Sequence, residues 1–291
     1  MGAYAYVAPT TVAEALAVLG EHASQGTRAQ VLAGGTDLLV QMRSVDRVPR
    51  TIVDIKHIAE TNQLDIGADE TFIGAAIPSA ALNENSALKS MFPGLIEAAD
   101  LIGSTQIQGR ATVAGNLCNA SPAGDTIPVL IANGAVCVIA GSAGNRELAV
   151  EDFVTGVGTN ALQAGEFLVG LKLANPGPRT ADAYLRFIPR TEMDIAVAGA
   201  GVALTLDDDG TCSAARVAIG AVAPTALLVP AAGAALVGTK VDDAAIAAAG
   251  AACSEAASPI TDKRGTIEYR RKVVGVLCRR AAAKARDRAQ S

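Results

Sequence analysis

The sequence predicts an α+β protein of more than one unit, and three observations carry that expectation. An apolar strand pattern runs through a Gly34-Gly35 turn into a helix start, so strand and helix signals alternate early in the chain. A break at Asn175-Pro176-Gly177-Pro178 separates this mixed part from one where strand patterns cluster and two helices follow. With 291 residues, 50% of them hydrophobic, the chain exceeds what one core comfortably fills and divides into two or three units.

Taken in order, Thr11 and Glu14 form a capping box that opens a helix with Val12, Ala15, Leu16 and Leu19 on one face. The strand Ala29 to Ala33 leads to the glycine turn, where Thr36 is placed to cap a helix whose Leu38, Leu39 and Met42 face the core. Thr51 to Ile55 alternates like a half-buried strand, and Leu64 to Gly67 with Thr71 to Gly74 read as a hairpin. Ser79 to Met91 reads as one helix, and Pro93 opens another that continues to Ile102. Ile127 to Ala132 is a short apolar run, and Ala135 to Ala140 a buried strand. Beyond Asp182, Tyr184 to Phe187, Ala196 to Leu206 and Arg216 to Val222 are strands, with Asp207 to Gly210 a turn. Helices over about 242–256 and 266–286 complete the chain.

The stretch Gly109 to Asp125 is poor in catalytic side chains and rich in small ones. Gly115 and Gly124 stand beside Thr112, Asn116, Asn119 and Ser121, a composition that lets backbone lie close against a bound molecule. Val31 to Leu39 is a second stretch of this kind, and a helix start after a glycine turn presents free N–H groups to an anion.

Other chemistries find little support. The five cysteines are scattered without a C-x-x-C pair, as free thiols of a reducing, cytoplasmic compartment, and His22 and His57 lack metal-ligand spacing. Gly156 to Ala161 fits the loose G-x-G-x-x-A pattern, but its approach carries three acids and makes a poor core strand. Aromatic content of 3% argues against base stacking. Residues 217–239 are uncharged, yet Pro224 and Pro230 point to a strand, a turn and a short helix rather than a membrane span. Met1 to Tyr6 lack the features of a signal peptide, so export is not expected. Net charge is −5, but residues 263–291 hold ten Lys or Arg against Glu268 and Asp287. That basic terminal helix reads either as a solvated face or as a partner surface.

Together these motifs resemble the FAD-binding subunit of molybdenum-containing hydroxylases, the family of xanthine dehydrogenase, aldehyde oxidoreductases and aerobic carbon monoxide dehydrogenase. The resemblance rests on Leu32 to Leu38, on Ala111 to Asn116 followed by Ala120-Ser121-Pro122 and Asp125, on Tyr184 to Asp194, and on Ser258 to Asp262 with Tyr269-Arg270-Arg271. It covers essentially the whole chain.

The resemblance implies a two-subdomain FAD-binding fold of the vanillyl-alcohol-oxidase type over 1–176, divided near residue 57. A smaller C-terminal α+β domain with a three-stranded sheet and helices would follow over 177–291. By the same resemblance, Val31, Leu32, Ala33, Gly34, Gly35, Thr36, Asp37 and Leu38 wrap the FAD pyrophosphate, and Thr112, Val113, Ala114, Gly115 and Asn116 form a second cradle. Asp125 accepts a hydrogen bond from a cofactor hydroxyl, Leu168 touches the ring system, and Ile102 and Ile195 flank the flavin. Arg186 stands where the family usually has Lys. Ala114 and Gln108-Gly109 depart from the family's usual Gly and Arg-Asn, so the first cradle position carries a methyl group. No extra cysteine cluster occurs, so the additional iron–sulfur site of one family branch is not expected.

The implied role is electron relay, with no catalytic residue and no metal on this chain. Molybdopterin would sit on a large partner subunit and two [2Fe–2S] clusters on a small one, in a dimer of heterotrimers that passes electrons through FAD to a small-molecule or protein acceptor. Neither nucleic acid nor a membrane span enters that reading. Two alternatives stay open in the residues themselves: a self-sufficient flavoenzyme similar to the reductase of peptidoglycan precursor synthesis, and an interaction module whose glycine loops are only tight turns.

Overall fold

The computed structural model describes residues 4–44 and 48–291, which leaves Met1 to Ala3 of the opening segment outside the described residues. Three sheets organise the chain. The first has parallel strands Tyr4–Val7, Arg50–Asp54 and Ala29–Leu32, with Arg50–Asp54 in the middle. The second is antiparallel, in the order Leu64–Ile66, Glu70–Gly74, Phe167–Ala174, Val136–Gly141 and Gly144–Ala149. The third pairs Thr180–Phe187, Ala198–Leu206 and Cys212–Gly220 antiparallel, with a two-residue strand Leu227–Leu228 added at its edge.

Helix Val12–Ser24 covers the first sheet through Ala15 and Leu19. Thr11 caps it by accepting from Glu14 N–H, while Glu14 returns its carboxylate to Thr10 rather than to Thr11, one residue outside the reciprocal box. Arg50–Asp54 is buried at every residue, unlike the half-buried alternation its sequence suggests, because parallel partners flank it on both edges. Arg50 tolerates burial there by donating to Gln30 Oε1 at 2.6 Å. Helix Leu38–Ser44 starts two residues beyond Thr36, and only Leu38 enters the core, while Leu39 is 48% exposed. A seven-residue helix at the rim of a small sheet has room to bury a single anchor.

The segment expected as one helix from Ser79 is two, Ser79–Glu84 and Ser86–Met91. Asn85 breaks the first and caps the second by accepting from Leu88 N–H at 3.0 Å. Helices Pro93–Asp100, Val113–Asn119 and Thr126–Ala132 then pack with the second sheet into one core that includes Leu82, Leu88, Phe92, Leu117, Phe153 and Phe167. Each such side chain contributes about 1.5–3 kcal/mol by leaving water.

A second core lies between the third sheet and helices Pro230–Leu236, Asp243–Ala256 and Ile267–Gln290. It is dominated by alanine, so the helices approach closely; Gly275 lies where an added Cβ would be 2.8 Å from the Gly250 carbonyl. Charged ties join the two cores. Asp182 accepts Gly94 N–H at 2.7 Å, Leu95 N–H at 3.1 Å and Asn133 at 2.8 Å, and so caps helix Pro93–Asp100 from a strand of the third sheet. Glu97 on that helix pairs with Lys284 and Arg288 of the terminal helix.

Candidate functional site

A cleft of about 590 Å³ opens between the first sheet and the second. Its volume falls in the range of small-molecule and cofactor sites. Val31 to Leu38 line one wall, and Thr112, Ala114, Gly115 and Asn116 another.

The first wall begins where strand Ala29–Leu32 ends. Gly35 has φ +77°, a left-handed conformation that lets the chain reverse, and a Cβ there would come 2.7 Å from Leu32 Cδ1. Leu39 N–H closes the turn on the Gly35 carbonyl at 3.0 Å. Among the described residues, the N–H groups of Gly34, Gly35, Thr36 and Asp37 donate to no protein acceptor. Successive uncommitted N–H groups on a turn form an anion-binding concavity. With a following helix of only seven residues, these turn donors carry the site and the helix dipole adds little.

The second wall is the start of helix Val113–Asn119. Thr112 caps it, its hydroxyl accepting Gly115 N–H at 2.8 Å, and this leaves Val113 and Ala114 N–H uncommitted among the described residues. Val113 itself is buried beneath the wall. Asn116 turns its amide oxygen inward to accept from Thr126 Oγ1 at 2.8 Å, so it too offers the cleft mainly backbone. The two walls touch: a Cβ on Gly34 would lie 2.0 Å from the Arg110 carbonyl oxygen, so only glycine permits the contact.

The departures from the family pattern are accommodated. Ala114 is 3% exposed and packs within the core, so its methyl group offers the cleft almost no surface. Gln108 is buried away from the cleft, donating to the Asp100 carbonyl at 2.6 Å.

Ile102 and Leu168 line the cleft, whereas Ile195 does not and is 53% exposed. The loops carrying Ile102 and Ile195 are nevertheless joined, Met193 N–H donating to the Gly103 carbonyl at 3.3 Å. Asp125 and Arg186 also lie off the lining and pair with each other, Arg186 Nη1 to Asp125 Oδ2 at 2.5 Å. The Tyr184 hydroxyl donates to Asp125 Oδ1 at 2.9 Å. Burial pushes the Asp125 carboxyl up to about 6, against the pull of Arg186 and Tyr184. Arg186 Nε is buried without a partner.

Several lining residues lie outside the site that the sequence points to: His22, Thr27 to Gln30, Leu162 to Phe167, and Gly158 and Asn160 of the G-x-G-x-x-A segment that the sequence argues against as a nucleotide site. The G-x-G-x-x-A segment explains part of this, because it forms the small hairpin Val154–Gly156 with Thr159–Asn160 rather than a strand entering a helix. Its Gly158 N–H and Asn160 amide cap the end of helix Val113–Asn119, donating to the Ala120 and Cys118 carbonyls at 2.9 and 3.0 Å. Cys118 borders the cleft as an inert thiol that burial pushes up to about 12. Among the described residues, no group of three His, Cys, Asp or Glu side chains is placed to hold a metal ion.

Two glycine-bearing walls facing across one cleft, with uncommitted backbone donors on each and apolar side chains at Ile102 and Leu168, define a protein that holds an extended, phosphate-bearing cofactor. Residues 2–176 match the FAD binding domain of molybdopterin dehydrogenase, and residues 183–285 the C-terminal domain of the CO dehydrogenase flavoprotein. The chain belongs to this family of FAD-binding subunits. It is 32% identical over 290 residues to the carbon monoxide dehydrogenase medium chain of Afipia carboxidovorans, covering 100% of this chain and 99% of the relative. It is 30% identical over 287 residues to the caffeine dehydrogenase subunit beta of a Pseudomonas species, covering 98% and 96%. The structure of carbon monoxide dehydrogenase from Hydrogenophaga pseudoflava, lacking the Mo-pyranopterin moiety of its cofactor, superposes with a TM-score of 0.91 at 32% identity and 98% coverage of both chains. The mixed helix-and-sheet fold, the FAD cofactor and the oxidoreductase class follow from this membership.

Proposed function

We propose that this chain holds FAD along the cleft and relays electrons from a [2Fe–2S] subunit to an external acceptor, within a molybdenum hydroxylase whose large subunit carries molybdopterin. The observation that carries the reading is the pair of facing walls, each with backbone N–H groups that no atom of the described residues accepts from. FAD, when bound, supplies the electron-transfer chemistry, and the chain supplies binding, orientation and electrostatics.

In this reading Gly34 to Asp37 donate to the diphosphate, and Val113 and Ala114 N–H serve the second cradle. Leu168, Ile102 and Ile195 bound the ring system, with Ile195 brought near through the Met193–Gly103 contact. Asp125 has two of its acceptor sites taken by Tyr184 and Arg186 and keeps acceptor capacity for a cofactor hydroxyl, a contact that requires the cofactor to reach beyond the cleft lining, which Asp125 does not join. Residues 1–176 act as the FAD-binding domain, with subdomains near 1–57 and 58–176, and 177–291 as the C-terminal domain. The two cores support the boundary near residue 176, while the first core runs through both proposed subdomains. A dimer of heterotrimers in the cytoplasm completes the proposal, in keeping with five cysteines that are all free thiols. No helix among the described residues is long and apolar enough to cross a membrane.

The test is anaerobic reduction of the flavin on the chain alone and in complex with its co-expressed partners. Substrate should bleach the flavin only in the complex. Turnover of an organic substrate by the chain alone contradicts the relay and supports a self-sufficient flavoenzyme.

A further inference from the structure

Lys56 does not line the cleft, yet its side chain is built into the turn that forms the first wall. Its ammonium donates to Asp54 Oδ1 at 2.7 Å and to the Ala33 carbonyl at 3.2 Å. Asp54 is 3% exposed; its Oδ2 accepts the Tyr6 hydroxyl at 2.6 Å, and its Oδ1 also accepts Lys56 backbone N–H at 3.0 Å. Burial pushes the Asp54 carboxyl up, but the Lys56 and Tyr6 bonds outweigh it and hold the group below the usual carboxylate range. The ammonium therefore sits on a fixed anion. Asp54 ends the middle strand of the parallel sheet and Tyr6 lies on its neighbour, so both supports are on regular elements rather than loops.

The Ala33–Gly34 peptide is trans, and in a trans peptide the C=O and N–H point in opposite directions. Drawing the Ala33 carbonyl toward Lys56 therefore turns the Gly34 N–H the other way. That N–H has no protein acceptor among the described residues, and both Ala33 and Gly34 line the cleft. Without the clamp the peptide could rotate, putting a carbonyl oxygen where an anion needs a donor.

We propose that Lys56, seated on Asp54 and Tyr6, is a positioning residue that clamps the Ala33 carbonyl, aims the Gly34 N–H into the cleft and places a positive charge one peptide from the cofactor's diphosphate. This rests on the reading that the turn Val31 to Leu38 holds that diphosphate. Asp37, in the same turn, puts a carboxylate beside the site, and the Lys56 charge offsets it.

The test is titration of the full-length apoprotein with FAD, followed by quenching of flavin fluorescence at low and high salt. Lys56→Met should raise the Kd for FAD about tenfold at low salt, as the loss of one charge-assisted contact implies. The gap should narrow at high salt, and Lys56→Arg should restore affinity to within about threefold of wild type. Lys56→Met leaves the buried Asp54 carboxylate without its ammonium, so its apoprotein should melt earlier than wild type while that of Lys56→Arg should not, and Kd is compared at a temperature where all three apoproteins are folded. Should Lys56→Met fail to fold, Tyr6→Phe, which alters an exposed phenol and loosens only Asp54, should raise the Kd about twofold to threefold. An unchanged Kd in these variants, or a loss that ignores salt and that arginine does not restore, overturns the proposal. Gly35→Val separates the two levels of the argument. If it binds FAD like wild type, the diphosphate reading itself fails; if it loses FAD while Lys56→Met does not, only the role of Lys56 fails.

Discussion

Arg186 Nη1 lies 2.5 Å from Asp125 Oδ2, and both side chains are buried, so the two residues are locked together by an internal ion pair. Tyr184, two residues before Arg186 on the same strand, takes the other carboxylate oxygen. Breaking such a pair strands a buried guanidinium. Asp125→Ala is therefore expected to lower stability by about 3–5 kcal/mol, seen as an earlier denaturation midpoint of the apoprotein. If Asp125 also holds a cofactor hydroxyl, the variant weakens FAD binding by about a further 1–3 kcal/mol. An apoprotein of wild-type stability would contradict the pairing.

Gly35→Val should abolish FAD retention. Its φ of +77° is strained for any branched residue, and the first added carbon already meets Leu32 Cδ1 at 2.7 Å. The check is flavin content per chain after gel filtration, and full retention would remove the turn from the binding site.

Ala114→Gly, the change to the glycine that the family resemblance implies at this position, should not tighten FAD binding. The methyl group is 3% exposed and packed against the core, so its removal costs helix stability, about 0.5–1 kcal/mol, and leaves the cleft surface nearly unchanged. A large gain in affinity would show that the methyl group does obstruct the cradle.

Glu97 links the two cores, and its carboxyl titrates below its usual 4.5: burial alone would raise it, but bonds from Arg288, Lys284 and Tyr184 N–H outweigh that effect. A lowered folded-state value means a contribution that is present above about pH 4.5 and lost as pH falls through the folded value. Glu97→Gln should therefore destabilise the protein at pH 7, by about 1–3 kcal/mol, and the difference from wild type should close in acid. A constant difference across pH would contradict the ionic tie.

The basic terminal helix resolves into two sets of residues. Arg270 points inward to the Val197 and Ala221 carbonyls and Asp262, and Lys284 and Arg288 serve Glu97, whereas Arg271, Lys272, Arg279 and Arg280 are exposed. Reversing charge with Arg279→Glu and Arg280→Glu should weaken co-purification of partner subunits while the melting temperature holds; Arg271 is left in place because its Nε donates to the Ala257 carbonyl at 3.0 Å. Undiminished assembly would leave these residues as a solvated face.

Much of this was legible in the residues. Gly34-Gly35 and Thr112 with Gly115 have local physical requirements, a reversal and a cap, and local requirements can be read one stretch at a time. Residues brought in by pairing could not be. The burial of Arg50–Asp54 depends on two strands that both come earlier in the chain, with register partners 46 and 22 residues before it, and nothing local separates it from a half-buried strand. Asp54 and Lys56 reach the glycine turn only because the parallel sheet sets them beside it. Gly158 and Asn160 border the cleft because their hairpin caps a helix forty residues earlier, so their glycine pattern reports backbone packing and not a nucleotide motif. Arg270 looked like part of a charged stripe, and only the third sheet shows it to be internal.

The central claim is that this chain carries FAD, and the direct measurement is the visible spectrum of the purified protein before and after incubation with FAD and gel filtration. The account predicts flavin bands at one per chain, released as FAD on denaturation. A protein that stays colourless after reconstitution and also when purified with its co-expressed partner subunits would contradict it.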